Sequence, residues 1–196
     1  MNRTTLSQEK RKIAKEKIFN AAREIFAKKG FLKATISEIA EQAKVSKGLI
    51  HWYYKNKDEL IKEVALSVIP HKEMMNVLQK DFRTVKDLFY EICNTYIDFY
   101  TEVKNRKLFL YVLTLKEKEP EIEQEHKILA ESVMKAGAQK LISLNCNIDS
   151  KRAEVVFRTL YSSLFFYVQN KELMNIPENE YVDMLIEILL KGINCS

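Results

Sequence analysis

The amino-acid sequence predicts an all-α protein, and three observations carry that reading. Only 4 glycines and 3 prolines punctuate 196 residues, too few for the tight turns of a β-sandwich or barrel. Apolar residues recur at helical spacing along almost the whole chain, and no segment sustains a period of two. Hydrophobic residues make up 46% and charged residues 30%, which suits a globular core and not a disordered chain. The glycine-rich phosphate loops of a doubly wound α/β fold are missing. The expected architecture is a three-helix N-terminal domain with a helix-turn-helix, residues 1–56. A larger helical domain, residues 57–196, follows it, with about nine helices in all.

Residues 1–10 are polar and expected to fray. From Lys10 to Lys29 the apolar residues Ile13, Ile18, Ala21, Ala22, Ile25 and Phe26 keep helical register. Gly30 ends that helix, because it tolerates positive φ, and Phe31 and Leu32 form a short connection. Thr35-Ile36-Ser37-Glu38 reads as a capping box opening a second helix, with Ile36, Ile39, Ala40 and Ala43 on its apolar face. After a brief turn at Lys44-Val45, Ser46 caps a third helix that runs to Tyr54. Asn56 caps a fourth, whose first turn holds Asp58 and Glu59 against the helix dipole. That helix heads toward Leu78, with a bend or break near Pro70. Five more are expected near 83–103, 105–117, 121–145, 150–170 and 178–193. Pro120 and Pro177 mark two breaks, and Asp149 and Glu178 sit at helix starts.

Charge is unevenly distributed. Residues 1–57 hold 14 Lys and Arg against 5 Asp and Glu, or +9; the remainder holds 18 against 22, or −4. A basic head on an acidic body points to a polyanion-binding module joined to something else. Cys93, Cys146 and Cys195 are odd in number and include no CxxC pair, which fits a reduced cytoplasm with Cys93 and Cys146 as small core residues. The N-terminus lacks the apolar stretch of a secretory signal, and no apolar run nears the ~20 residues of a membrane span. His51, His71 and His126 are too scattered for a metal site. No nucleophile-elbow or P-loop motif appears, so neither cofactor nor enzymatic activity is expected. The run Glu117 to Glu123 reads as a solvated turn and helix start.

The helix over 46–54 is too short to stand alone. Val45, Ile50 and Tyr54 are expected to pin it, freeing its other face for a DNA major groove. Ser46, Lys47 and Gly48 lie at its N-terminus, where backbone N–H groups favour an acceptor, and Gly48 lets a backbone approach closely. His51 through Lys57 mix aromatic rings, donors and positive charge. Trp52 and Tyr53 suit core and contact equally, whereas Tyr54 reads as core.

Here the residues resemble a known family. Ile18, Ala21, Ala22, Phe26, Gly30 and Phe31, then Thr35, Ile36, Ile39, Ala40, Ala43, Val45, Ser46, Lys47 and Gly48, then Tyr54, Asn56, Lys57 and Leu60 resemble, in order and spacing, the N-terminal domain of TetR-family transcriptional regulators. The resemblance covers roughly residues 13–65 and implies a cytoplasmic, bacterial, DNA-binding regulator. Double-stranded operator DNA is the implied partner. Thr35, Ser37, Ser46, Lys47, Gly48, Leu49, His51, Trp52, Tyr53 and Lys57 are its candidate contacts. Thr35 serves as N-cap and, by the family's example, as a phosphate ligand. The sequence departs from the family at Leu49, usually a small or hydroxyl residue, and at His51, usually tyrosine. Leu49 is expected to meet a thymine methyl and His51 to donate to a phosphate, implying an unusual operator.

The helices at 150–170 and 178–193 are apolar on more than one face. A homodimer that packs them together is therefore expected, as in the resembling family. Its candidate interface is Val156, Leu160, Leu164, Tyr167, Leu185, Ile186, Leu189 and Ile193. Tyr96, Phe99, Tyr100, Phe109, Tyr111, Phe157, Tyr161 and Phe165 form a candidate effector site for a small, mostly apolar or aromatic ligand. Each of these rings taken singly reads as packed core. Arg106, Arg152 and Arg158 suit an anionic ligand and surface glutamates equally. The expected function is a ligand-responsive repressor of a near-palindromic operator. Two rivals stand beside it: an enzyme using the aromatic cavity, and a helical adaptor whose basic head binds RNA, membrane or protein.

Overall fold

The computed structural model describes residues 3–115, 119–144 and 148–193. Among them there are ten α-helices and no strand. In order they are α1 (Arg3–Lys33), α2 (Ile36–Ala43), α3 (Lys47–Tyr53), α4 (Lys57–Ser67) and α5 (His71–Gln79). Then come α6 (Val85–Thr101), α7 (Val103–Leu115), α8 (Pro120–Ser143), α9 (Ser150–Asn170) and α10 (Glu178–Ile193). The tenth helix arises where the fourth expected helix divides. Pro70 has no N–H to donate and disfavours helical geometry at Ile69, so α4 ends at Ser67 and α5 begins after the proline.

Local chemistry accounts for most boundaries. Thr35 accepts from the Glu38 N–H at 3.3 Å, and its own N–H donates to the Glu38 carboxylate at 3.0 Å, closing the capping box. Ser46 Oγ accepts from the Leu49 N–H at 3.2 Å, Asn56 Oδ1 from Glu59 at 2.9 Å, and Asp149 Oδ1 from Arg152 at 2.9 Å. Gly30 takes φ 76° and ψ 164°, a conformation strained for any residue with a Cβ, and α1 kinks there before one further turn. Residues 3–10 continue α1 where fraying was expected; they contain neither glycine nor proline.

The chain divides into two compact units. The first comprises Met1–Ile69 with Lys107–Glu123, and the second Pro70–Arg106 with Gln124–Ser196. This division by packing does not coincide with the sequence division at 56/57. Leu60, Ile61, Val64 and Ala65 of α4 are buried in the same core as Ile18, Phe26, Ile39, Ile50 and Tyr54, and Leu108 and Val112 join them. In the second unit α6 packs against α5, α9 and α10, burying Leu88, Phe89, Ile92 and Cys93. Cys146 and Cys195 lie outside the described residues. Among the described residues no helix is long and apolar enough to cross a membrane, and no cluster of three His, Cys, Asp or Glu side chains suits a metal ion.

Candidate nucleic-acid interface

Helix α3 has seven residues and acquires its order from its neighbours. At about 100° per residue, Lys47, Gly48, His51 and Trp52 share one arc of the helix, and Leu49, Ile50, Tyr53 and Tyr54 the opposite arc. Burial follows that partition. Ile50 and Tyr54 are core, Leu49 and Tyr53 are half-buried, and the other four are exposed. The tight turn into α3 is made by Lys44 at φ 55°, with the Val45 N–H donating to the Ala40 carbonyl at 3.0 Å. Burial raises the Tyr54 hydroxyl well above the ordinary tyrosine range, with Glu63 adding to the shift.

The ten sequence candidates therefore divide. Ser37, Lys47, Gly48, His51 and Trp52 stand exposed on α2 and α3. Thr35 and Ser46 are also exposed, but each hydroxyl already caps a helix. Leu49 is half-buried and packs against the core, because its position falls on the inward arc. Tyr53 is half-buried, and its hydroxyl donates to the Arg11 carbonyl at 2.7 Å. Lys57 sits at the start of α4, and its ammonium donates to the Leu32 carbonyl at 3.1 Å. Nearby, the Lys29 ammonium, then the Thr35 donors, hold the Glu38 carboxyl below the usual carboxylate range. Sequence reasoning missed Arg11, whose guanidinium lies over the Trp52 ring at 5.4 Å. The available signal was its place one and two turns before Lys15 and Ile18 on the inward stripe of α1.

The second unit holds the aromatic cluster in a smaller form than expected. Tyr96 lies 4.9 Å from Tyr100 and 5.6 Å from Tyr161, ring centroid to centroid, with Tyr96 and Tyr100 buried. The Tyr161 hydroxyl is buried without a hydrogen-bond partner. Burial pushes all three phenols well up. Phe99 stacks edge-on with Tyr100, and Phe165 is half-buried on α9. Phe157 is wholly buried, its ring meeting Phe89 at 6.2 Å. Phe109 and Tyr111, partly buried, pack against the core of the first unit. Tyr111 meets Phe31 there, beside an open cleft of about 320 Å³ at Lys29–Lys33. Arg106 and Arg152 donate to the backbone carbonyls of Tyr100 and Gly192.

The residues expected at the interface are already covered within the single chain. Val156, Leu160, Leu164, Tyr167, Leu185, Ile186, Leu189 and Ile193 are at most 8% exposed within this one chain. They form the stripes by which α9 and α10 join the core of their own unit. The apolar residues left outside on these helices are Val155, Phe166, Met184 and Ile188. The two helices run antiparallel, with the Tyr181 hydroxyl donating to the Ser163 carbonyl at 2.9 Å and the Tyr167 and Tyr181 rings stacked at 4.3 Å.

Residues 18–64 match the family described as bacterial regulatory proteins, tetR family. A curated relative, an uncharacterized HTH-type transcriptional regulator of Haemophilus influenzae, is 36% identical over 74 residues. That match covers 38% of this chain and 38% of the relative, well under two thirds of its length. Two solved structures share the fold over most of their length. A TetR-like transcriptional regulator from a Rhodococcus species aligns with TM-score 0.71 at 16% identity, covering 92% of this chain and 96% of the other. NalD, the secondary repressor of the MexAB-OprM multidrug efflux pump in Pseudomonas aeruginosa, aligns with TM-score 0.68 at 18% identity, covering 95% and 98%.

Proposed function

We propose that this chain, whose residues 18–64 match the tetR family of bacterial regulatory proteins, is a bacterial cytoplasmic repressor that binds a near-palindromic operator as a homodimer and leaves it when a small effector binds the second unit. The observation that carries the reading is the outward arc of α3. Four exposed positions, the side chains of Lys47, His51 and Trp52 and the bare backbone of Gly48, lie side by side on a helix that its opposite arc fixes to the core. Such a helix fits a major groove, and its exposed N-terminus suits a phosphate or a base acceptor. Lys47 and His51 are the candidate base-edge readers, with Ser37 as a phosphate ligand at the rim; Thr35 would join it only by giving up its bond to the Glu38 carboxylate.

Dimerisation follows from the outward stripes of α9 and α10. Val155, Thr159, Ser162 and Phe166 repeat at helical spacing on one, Met184 and Ile188 on the other, and all are exposed. A two-fold partner covering these stripes would set two recognition helices one DNA turn apart. Tyr96, Tyr100 and Tyr161 are the best-supported part of an effector site, for an apolar ligand with one polar group to meet the Tyr161 hydroxyl. The effector must prefer the DNA-incompetent state; a preference of about a hundredfold corresponds to about 2.7 kcal/mol of coupling.

Selection from a random duplex library with the purified full-length chain tests the reading. Enrichment of a near-palindrome is the expected result. Binding that is uniform across sequences and merely salt-sensitive, with no enrichment after removal of bound small molecules, would overturn it.

A further inference from the structure

Helix α1 extends well past the core it supports. From Gln8 onward the first buried side chain along it is Ile18, and residues 8–17 carry the cations Lys10, Arg11, Lys12, Lys15 and Lys17 against the carboxylates Glu9 and Glu16. Two successive turns of this segment are tied to the recognition helix and its neighbour. Lys15 lies over the Tyr54 ring at 5.5 Å and pairs with Glu63 at 3.0 Å. One turn earlier, the Arg11 carbonyl accepts the Tyr53 hydroxyl, and the Arg11 guanidinium lies over Trp52.

The Trp52 arrangement is unusual for an indole. Its side chain is 61% exposed, so its place is not explained by burial. It stands on the outward arc, its ring edge-on to Tyr53 at 4.6 Å. The Arg11 Cζ stands 5.4 Å from the Trp52 ring centroid, within cation–π range, and the residue is exposed, so the guanidinium keeps N–H donors to offer to a ligand. Those donors match a phosphate in geometry and charge. Lys10 and Lys12, exposed on the flanks of α1 to either side of Arg11, add positive charge around it.

We propose that the amino-terminal turns of α1 are a second DNA-backbone contact beside α3, with Arg11 as the phosphate ligand and Trp52 as the residue that positions it. This rests on the DNA-binding reading and adds a contact outside the helix-turn-helix. The contact is to phosphate, so it raises affinity for every sequence alike and reads no base.

The test uses the full-length chain, a labelled duplex carrying the selected site and an unrelated duplex of the same length, with binding followed by anisotropy over a range of salt. Arg11→Gln is expected to weaken both duplexes by a similar factor, about tenfold near 0.1 M salt, and to make the salt slope shallower by about 0.9. Arg11→Lys is expected to recover the slope, which a purely structural role would leave unmoved. On the unrelated duplex, adding Trp52→Ala to Arg11→Gln should cost little beyond Arg11→Gln alone, because Trp52 acts through Arg11. Unchanged affinity and slope in Arg11→Gln, or a loss confined to the selected site, overturns this proposal while leaving DNA binding intact. A wild-type chain that binds neither duplex overturns both readings.

Discussion

Gly137, in the middle of α8, is where a single methyl group reports how tightly the second unit is packed. A Cβ built there would lie 2.7 Å from Cζ of Phe157 and closer still to its Cδ1 and Cε1. A methyl and a ring carbon rest at about 3.5–4.0 Å, so the ring would have to retreat by roughly an ångström. Phe157 has nowhere open to go: it is wholly buried and meets Phe89 edge-on. Overpacking of this kind costs about 1–3 kcal/mol, and its upper half applies where the neighbour is a confined aromatic. Against it, alanine favours the helix over glycine by about 1 kcal/mol. Gly137→Ala should therefore destabilise the protein by about 1–2 kcal/mol, read as a lower urea midpoint at unchanged slope. Combining it with Phe157→Leu should cost at least about 1 kcal/mol less than the two single losses added together. A stabilised Gly137→Ala protein, as expected for an uncrowded helix glycine, would refute the packing of α8 on Phe157.

Two further outcomes follow from burial. Burial pushes the Cys93 thiol from 9.0 up to about 12, so the folded chain holds that proton more tightly than the unfolded one. The associated stability is fully present below pH 9 and is lost as pH rises through 9 to 12, by up to about 1.4 kcal/mol per pH unit. Alkaline unfolding curves should show this, with a shallower decline in Cys93→Ala measured against its own neutral-pH stability. Ile188→Lys places a charge on a side chain that is 67% exposed and should leave folding nearly unchanged while weakening self-association. Sedimentation equilibrium would show monomer at concentrations where the parent chain is dimer; equal association in both would remove α10 from the interface.

The sequence was most legible where chemistry is local. Thr35, Ser46, Asn56 and Asp149 each cap the helix their position announces, and Gly30 takes the positive φ that its place after Lys29 implies. It was least legible where a helix is apolar all round. On α9 both the inward stripe through Val156 and Leu160 and the outward stripe through Val155 and Phe166 read as hydrophobic. Only the positions of α6 and α10 decide which stripe is core. The same holds for Phe109 and Tyr111, whose spacing says that they are buried but not in which unit. Leu49 was assigned outward from a family position, although its angular distance from Lys47 puts it on the buried arc.

Lys47 and Lys57 show how far side chains near a recognition helix are shared between fold and ligand. Both were expected at phosphate or base, and by charge alone they are equivalent. Their surroundings differ. Lys47 is exposed at the start of α3, whereas the Lys57 ammonium is half-buried and holds the Leu32 carbonyl at the end of α1. Removing Lys57 leaves that carbonyl to water, a loss of about 0.5–1 kcal/mol for an exposed hydrogen bond. Lys57→Ala should therefore lower stability as well as duplex affinity. Lys47→Ala should lower affinity alone, with unfolding midpoints unchanged. If both variants kept the parent stability and lost affinity equally, Lys57 would be a plain phosphate ligand and its bond to Leu32 of no consequence. If Lys57→Ala lost stability and kept its affinity and salt slope, its cation would belong wholly to the fold. The phosphate contacts would then fall to the exposed residues of α2 and α3, beside the base readers Lys47 and His51.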